Sequence, residues 1–156
     1  MSNNQTLAVK YRPASWQDLT EQEYIKSILE NQIKINSVKN AYLFTRSCWM
    51  SARQTSARIF GNKINEGQGN PIEVDAASNN GVDQIRTIID DAKFKPLDGK
   101  YKIYILDECH MLSIGAWNAM LKLLEEPLKT TIFWTRRKFQ KQFYLEFKDM
   151  ISIKLV

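Results

Sequence analysis

Four short apolar runs at regular separations leave this chain few ways to fold. Residues 41–45, 72–75, 102–107 and 130–134 are each a few residues long and rich in β-branched or aromatic side chains, as buried strands are. Between them lie stretches with helical spacing. Residues 21–34 place Tyr24, Ile25, Ile28, Leu29 and Ile33 on one face, residues 82–92 do the same with Val82, Ile85, Ile88 and Ile89, and residues 114–126 with Trp117, Met120, Leu121 and Leu124 before Pro127. Strands separated by helices cannot pair as hairpins, so the pattern predicts an α/β fold: a parallel sheet covered by helices on both faces. The apolar stripes are core positions. Residues 65–71, with Gly67 and Gly69, read as a loop.

A chain of 156 residues with 44% hydrophobic content buries one core and is too short for several. No apolar stretch approaches the ~18 residues of a membrane span, and Met1-Ser2-Asn3-Asn4-Gln5 lacks the basic and apolar regions of a secretory signal, which makes a cytoplasmic protein the expectation. Cys48 and Cys109 are far apart and form no CxxC pair, so they read as free thiols, with no zinc site. The net charge of +5 invites a nucleic-acid partner, but residues 134–156 hold six basic residues against Glu146 and Asp149, so +4 of the +5 lies there.

The segment with chemistry is Lys102-Ile103-Tyr104-Ile105-Leu106-Asp107-Glu108, an apolar strand ending on adjacent carboxylates. Open α/β sheets bind ligands at the carboxyl ends of their strands. In phosphoryl transfer one carboxylate there helps hold Mg²⁺ and a neighbour orients the attacking water, roles that suit Asp107 and Glu108. An acidic pair after a strand is by itself a weak signal, since most such pairs are solvated turns.

Asp107-Glu108-Cys109-His110-Met111-Leu112 resembles the Walker B box of AAA+ ATPases, and in particular of the gamma/tau subunits of the bacterial DNA polymerase III clamp loader. Lys10-Tyr11-Arg12-Pro13, Asp75-Ala76-Ala77-Ser78-Asn79-Asn80-Gly81-Val82-Asp83 and Asn118-Ala119-Met120-Leu121-Lys122-Leu123-Leu124-Glu125-Glu126-Pro127 carry the same resemblance. The delta-prime subunit is the nearest confusable relative. The resemblance implies a P-loop NTPase-like fold, incomplete here, in residues 1–133, and a subunit that binds ATP and Mg²⁺ and works with other loader subunits to place the sliding clamp on primed DNA. It also implies residue roles: Glu108 as the catalytic carboxylate, Asp107 as the Mg²⁺ ligand, and Thr55, Tyr11 and Arg12 as nucleotide contacts. His110 reads as structural or as part of nucleotide signalling.

Three departures set this chain apart. The phosphate-binding loop should follow residues 41–45, where backbone N–H groups of a glycine-rich turn and a lysine meet the phosphates; Arg46-Ser47-Cys48-Trp49-Met50-Ser51-Ala52-Arg53-Gln54-Thr55 holds neither Gly nor Lys. Arg53 does not reproduce a compact ammonium under the phosphates. The family's zinc module is replaced by residues 61–71. After Phe133 the family's sensor and arginine-finger segments are missing. Residues 138–152 have synonymous codings whose shifted frame reads Ile-Pro-Glu-Thr-Ile-Leu-Ser-Arg, like the family's finger segment, so residues 134–156 are read as an aberrant basic tail from a shifted frame. On this reading ATP hydrolysis is lost and the tail's charge is a by-product; because the chain stops before the helical lid and collar domain that follow in the family, the last strand is expected to lack its neighbour. Two rival readings stand beside it: an inert loader-like module that binds a protein partner without ATP, and a small basic DNA-binding protein whose tail mixes cations with Phe139, Phe143, Tyr144 and Phe147.

Overall fold

A computed structural model of the chain describes residues 15, 17, 23–45 and 50–137; at 43–45, 50–54 and 136–137 it describes the backbone alone. The elements run α1 (Glu23–Lys34), β1 (Ala41–Thr45), α2 (Met50–Ile64), β2 (Ile72–Asp75), α3 (Val82–Ala92), β3 (Lys102–Asp107), a 3₁₀ turn (Cys109–Met111), α4 (Ile114–Glu125) and β4 (Thr131–Arg137). The strands form one sheet in the order β1-β4-β3-β2, every neighbouring pair parallel.

From β1 the chain crosses to the far edge at β2, then steps back through β3 to β4. Crossovers of one hand place helices on opposite faces when the direction of travel reverses, so α2 lies on one face and α3 and α4 on the other. The cores record this. Ile103, Ile105, Ile132 and Trp134 pack with Leu29 of α1 and with Ala57, Phe60 and Ile64 of α2. The alternate residues Tyr104, Leu106 and Phe133 pack with Ile85 and Ala92 of α3 and with Ala116, Met120 and Leu123 of α4. A strand buried on both faces uses every side chain for the core, which is why 102–107 reads as an unbroken apolar run.

The fourth strand corrects the sequence expectation twice. It runs to Arg137, three residues past the predicted end, and it is an inner strand flanked by β1 and β3. Parallel crossovers insert it between them, and the edge strands among the described residues are β1 and β2. Trp134 is 2% exposed and sits 5.0 Å from the Tyr42 ring and 5.4 Å from the Phe60 ring, centroid to centroid. Tyr42 and Phe60 meet edge to face at 5.3 Å.

Helix α2 was not legible as a stripe. Its described buried positions include Thr55 and Ser56 as well as Ala57, Ile59 and Phe60, so polar residues interrupt the apolar periodicity. The short connection after it is held by Asn65, which is 5% exposed. Its Oδ1 accepts the N–H groups of Lys100 (3.0 Å) and Tyr101 (2.8 Å), and its Nδ2 donates to the Tyr101 carbonyl at 2.8 Å. Gly99 passes so close, at φ +80°, that an added Cβ would lie 2.8 Å from Asn65 Cγ. Only glycine meets both demands without strain.

On the opposite face Asp91 ties the end of α3 to β3. It accepts a short hydrogen bond from the Tyr104 hydroxyl, and Lys102 Nζ lies 3.1 Å from its Oδ1. The Tyr104 hydrogen bond, then Lys102, hold the Asp91 carboxyl below the usual range. A lowered folded-state pKa contributes stability above the unfolded value of about 4 that is lost as pH falls through the folded value. Acid unfolding of Asp91→Asn is therefore expected to depend less on pH below about 4 than that of the parent, read by circular dichroism. At the alkaline end burial pushes Tyr42 up to about 12, against the Lys39 N–H that lowers it. A raised tyrosine pKa contributes stability in full below the unfolded value of about 10, and that contribution fades as pH rises from there towards 12. The expected result is a fall in stability as pH rises above about 10, with a weaker dependence in Tyr42→Phe.

Candidate functional site

The carboxyl edge of the sheet carries Thr45, Arg137, Asp107 and Asp75 at the ends of β1, β4, β3 and β2. Asp75 is occupied with its own loop: Oδ1 accepts the Ala77 N–H at 2.9 Å, Oδ2 accepts the Ser78 hydroxyl at 2.6 Å, and the Asn79 side chain donates to its carbonyl at 2.9 Å. The Ser78 hydroxyl, then the Ala77 N–H, keep its carboxyl below the ordinary range. This loop is fastened to the next one, since Ala76 N–H donates to the Asp107 carbonyl and Ser113 N–H to the Asn80 carbonyl, both at 3.0 Å.

Asp107 and Glu108 stand where β3 gives way to the 3₁₀ turn. Asp107 Oδ1 accepts the Glu108 N–H at 2.9 Å. Glu108 adopts φ 50°, ψ 36°, a left-handed conformation uncommon outside glycine, and its carbonyl accepts the Met111 N–H at 2.8 Å. That backbone turn brings His110 round to face it, with Nδ1 3.1 Å from Glu108 Oε2, both side chains about one-third exposed. Cys109 between them is 1% exposed and packs with Trp117 of α4, anchoring the turn. Ser113 then caps α4 by accepting the Ala116 N–H at 3.2 Å. The Glu108–His110 pairing was not legible in the sequence; the signal available was a histidine two residues after the second carboxylate.

The other expected contacts lie on α2 or outside the described residues. Thr55 is the sixth residue of α2 and is 1% exposed. Tyr11, Arg12 and residues 46–49 lie outside the described residues. Among the described residues no group of three His, Cys, Asp or Glu side chains forms a metal-ligand set, and none of the helices is long and apolar enough to cross a membrane.

Known proteins agree on where this arrangement belongs. The family described as DNA polymerase III, delta subunit matches residues 63–141, about half of the chain. The DNA polymerase III subunit tau of Bacillus subtilis is 41% identical over 150 residues, covering 83% of this chain and 26% of its own length. The tau/gamma subunit of Haemophilus influenzae is 38% identical, covering 79% of this chain and 21% of its own. The chain belongs to the gamma/tau family of DNA polymerase III clamp-loader subunits.

The chain spans about a quarter of the length of these relatives. Solved structures place the fold of this gamma/tau relative. A gamma subunit-related protein of Thermotoga maritima superposes with a TM-score of 0.61 at 23% identity, covering 82% of this chain and 46% of that one. A point mutant of RuvB from Thermotoga maritima superposes with a TM-score of 0.70 at 15% identity, covering 92% of this chain and 48% of that one. At these identities the likeness shows the α/β P-loop NTPase-like fold alone. Within that fold Asp107 and Glu108 stand at the carboxyl edge, a donor set whose chemistry suits a divalent cation and a water. Positions 46–55 hold no glycine and no lysine, the residue types with which a phosphate-binding loop meets a nucleotide.

Proposed function

We propose that this chain acts in DNA replication as a gamma/tau-type subunit of the clamp loader, taking its place beside other loader subunits without hydrolysing ATP itself. The observation that carries the reading is the mismatch at one edge of a well-built sheet. Asp107 ends the third strand and Glu108 follows it as the family motif has them, while the segment from Arg46 to Thr55 lacks the Gly and Lys that phosphate binding needs. An intact member would bind ATP and Mg²⁺, with Asp107 holding the metal and Glu108 orienting water. Thr55, Tyr11 and Arg12 keep the family's nucleotide-contact positions. Residues 1–133 form the ATPase-like part and 134–156 a basic tail of shifted frame, although the sheet takes in residues 134–137. The setting is cytoplasmic, with the sliding clamp and primed DNA as the loader's partners.

A second reading shares the first one's loss of chemistry. In it the chain is a loader-like module that binds one protein partner independently of nucleotide. It is favoured by the closed core and the Asn65-held connection, which keep a surface presentable after the phosphate loop has gone.

Affinity purification of the chain with purified clamp-loader subunits, with and without Mg²⁺-ATP, tests the proposal. Capture in both conditions, with no ATPase rate added by the chain, is the expected result. Capture of no loader subunit overturns it, and so does ATP turnover by the chain alone.

A further inference from the structure

We infer that the cleft between α3 and α4 is a docking groove for a short peptide segment of a protein partner, one that carries carboxylates beside an apolar side chain. The two helices cover the same face of the sheet, and as crossovers between parallel strands they run side by side in one direction. Ile85 and Ala92 of α3 and Ala116 and Met120 of α4 turn down onto the strands. At its start α4 lies so close to α3 that a Cβ added to Gly115 would be 2.7 Å from Val82 Cγ2. Alongside that contact the outer stripes of the helices leave a cleft of about 440 Å³, within the ~300–1,000 Å³ range of small binding sites.

The cleft joins two chemistries. Ile89, Ala119 and Leu123, the less exposed of its lining residues, give it an apolar floor, and Arg86, Lys93 and Lys122 stand exposed around them. Among the described residues Arg86 and Lys93 pair with carboxylates of their own helix, Asp83 at 3.6 Å and Asp90 at 2.6 Å, and Lys122 has no ion pair. Exposed pairs of that kind contribute little, so an incoming carboxylate exchanges them at small cost. A nucleic acid would use the cations alone: its backbone gains nothing from an apolar floor, and Glu126, which also lines the cleft, repels phosphate. A peptide with acidic and apolar side chains uses both, and the exposed amide of Asn118 is placed to meet its backbone. None of these residues belongs to the carboxyl edge of the sheet, so docking here needs no nucleotide.

Display selection of random short peptides on the full chain tests the inference. The selected peptides are then synthesised, and their affinities are measured by fluorescence anisotropy for the parent, Lys122→Glu, Arg86→Glu and Lys34→Glu, the last of these on α1 across the sheet. Circular dichroism checks that each variant is folded. The selected peptides are expected to set Asp or Glu beside an apolar residue. Lys122→Glu and Arg86→Glu are each expected to bind them at least about tenfold more weakly than the parent, and Lys34→Glu to stay within about twofold. Selection of no peptide, selection without acidic residues, or equal losses in Lys122→Glu and Lys34→Glu overturns the inference. So does a single-stranded DNA oligonucleotide that binds the parent more tightly than any selected peptide and is released by Lys122→Glu alone. Should Lys122→Glu fail to fold, Lys122→Gln in its place is read against the same outcomes. The inference rests on the proposed role beside other proteins for its choice of a peptide, and the two fail separately: a parent chain that captures no loader subunit overturns that role, whereas failed selection overturns the groove.

Discussion

Trp134→Ala is expected to lower stability by roughly 3–5 kcal/mol, the usual cost of emptying a large aromatic site in a core. The indole is 2% exposed and fills the space between the rings of Tyr42 on β1 and Phe60 on α2. Tyr42 is itself fixed at its other end, where its hydroxyl donates to Gln32 Oε1 at 2.6 Å and accepts the Lys39 N–H at 3.1 Å. Removing the indole therefore leaves a cavity whose wall cannot readily close in. Urea unfolding followed by circular dichroism measures the loss. A change below about 1 kcal/mol would mean that the chain after Phe133 adds nothing to the fold. That makes the variant a direct test of how far the chain beyond Phe133 contributes to the core, since β4 continues through Trp134 in register with both neighbours.

Asn65→Ala is the second large effect, with an expected loss of about 3 kcal/mol. The substitution removes three hydrogen bonds at once and leaves the Lys100 and Tyr101 N–H groups and the Tyr101 carbonyl without their side-chain partner beside a residue that is 5% exposed. Each net bond is worth about 1 kcal/mol, and stranded buried groups add to that. Asn65→Asp separates the parts of this account. It keeps the acceptor for both N–H groups but sets a second carboxylate oxygen against the Tyr101 carbonyl, where two acceptors repel, so it should be less stable near neutral pH than under mildly acid conditions in which the protonated carboxyl can donate. Thermal melts of Asn65→Asp at the two pH values give the comparison, and equal losses would contradict the assignment of the amide nitrogen to that carbonyl.

Most of the fold was legible because its helices and strands speak in different periods. Ile103 and Ile105 face one way and Tyr104 and Leu106 the other, so an uninterrupted apolar run could only be an inner strand, and the spacing of Val82, Ile85 and Ile89 could only be a helix on one side of it. The end of β4 was missed because Thr135, Arg136 and Arg137 are not apolar; a parallel strand continues wherever its neighbours offer backbone partners, and Phe44 and Thr45 do so. The idea that the last strand lacks a neighbour failed for a topological reason. It rested on the segments that follow in the family, whereas reversal of the crossover direction puts β4 between β1 and β3.

At the candidate site, the Asp107–Glu108 pair and its position at a strand end were visible from residues alone. What residues could not give was the turn. Glu108 takes a left-handed conformation that nothing in its side chain favours, held by the Met111 N–H on its carbonyl and by the burial of Cys109, and that conformation is what brings His110 to its carboxylate. Asp75 is the converse case. It ends a strand beside Asp107, yet Ser78 and Ala77 engage both of its oxygens in a loop that ties β2 to the Glu108 turn. The family motif over 75–83 thus reads, in this structure, as the frame that positions the carboxylates.

The central claim is that this gamma/tau relative keeps the carboxylate side of a nucleotide site and has lost the phosphate side. Calorimetric titration of the intact chain with ATP, in the presence and absence of Mg²⁺, addresses it most directly. The account predicts no Mg²⁺-dependent binding in the sub-millimolar range, and the same weak or absent heat in Asp107→Asn. A Mg²⁺-dependent, sub-millimolar affinity that Asp107→Asn removes would contradict it.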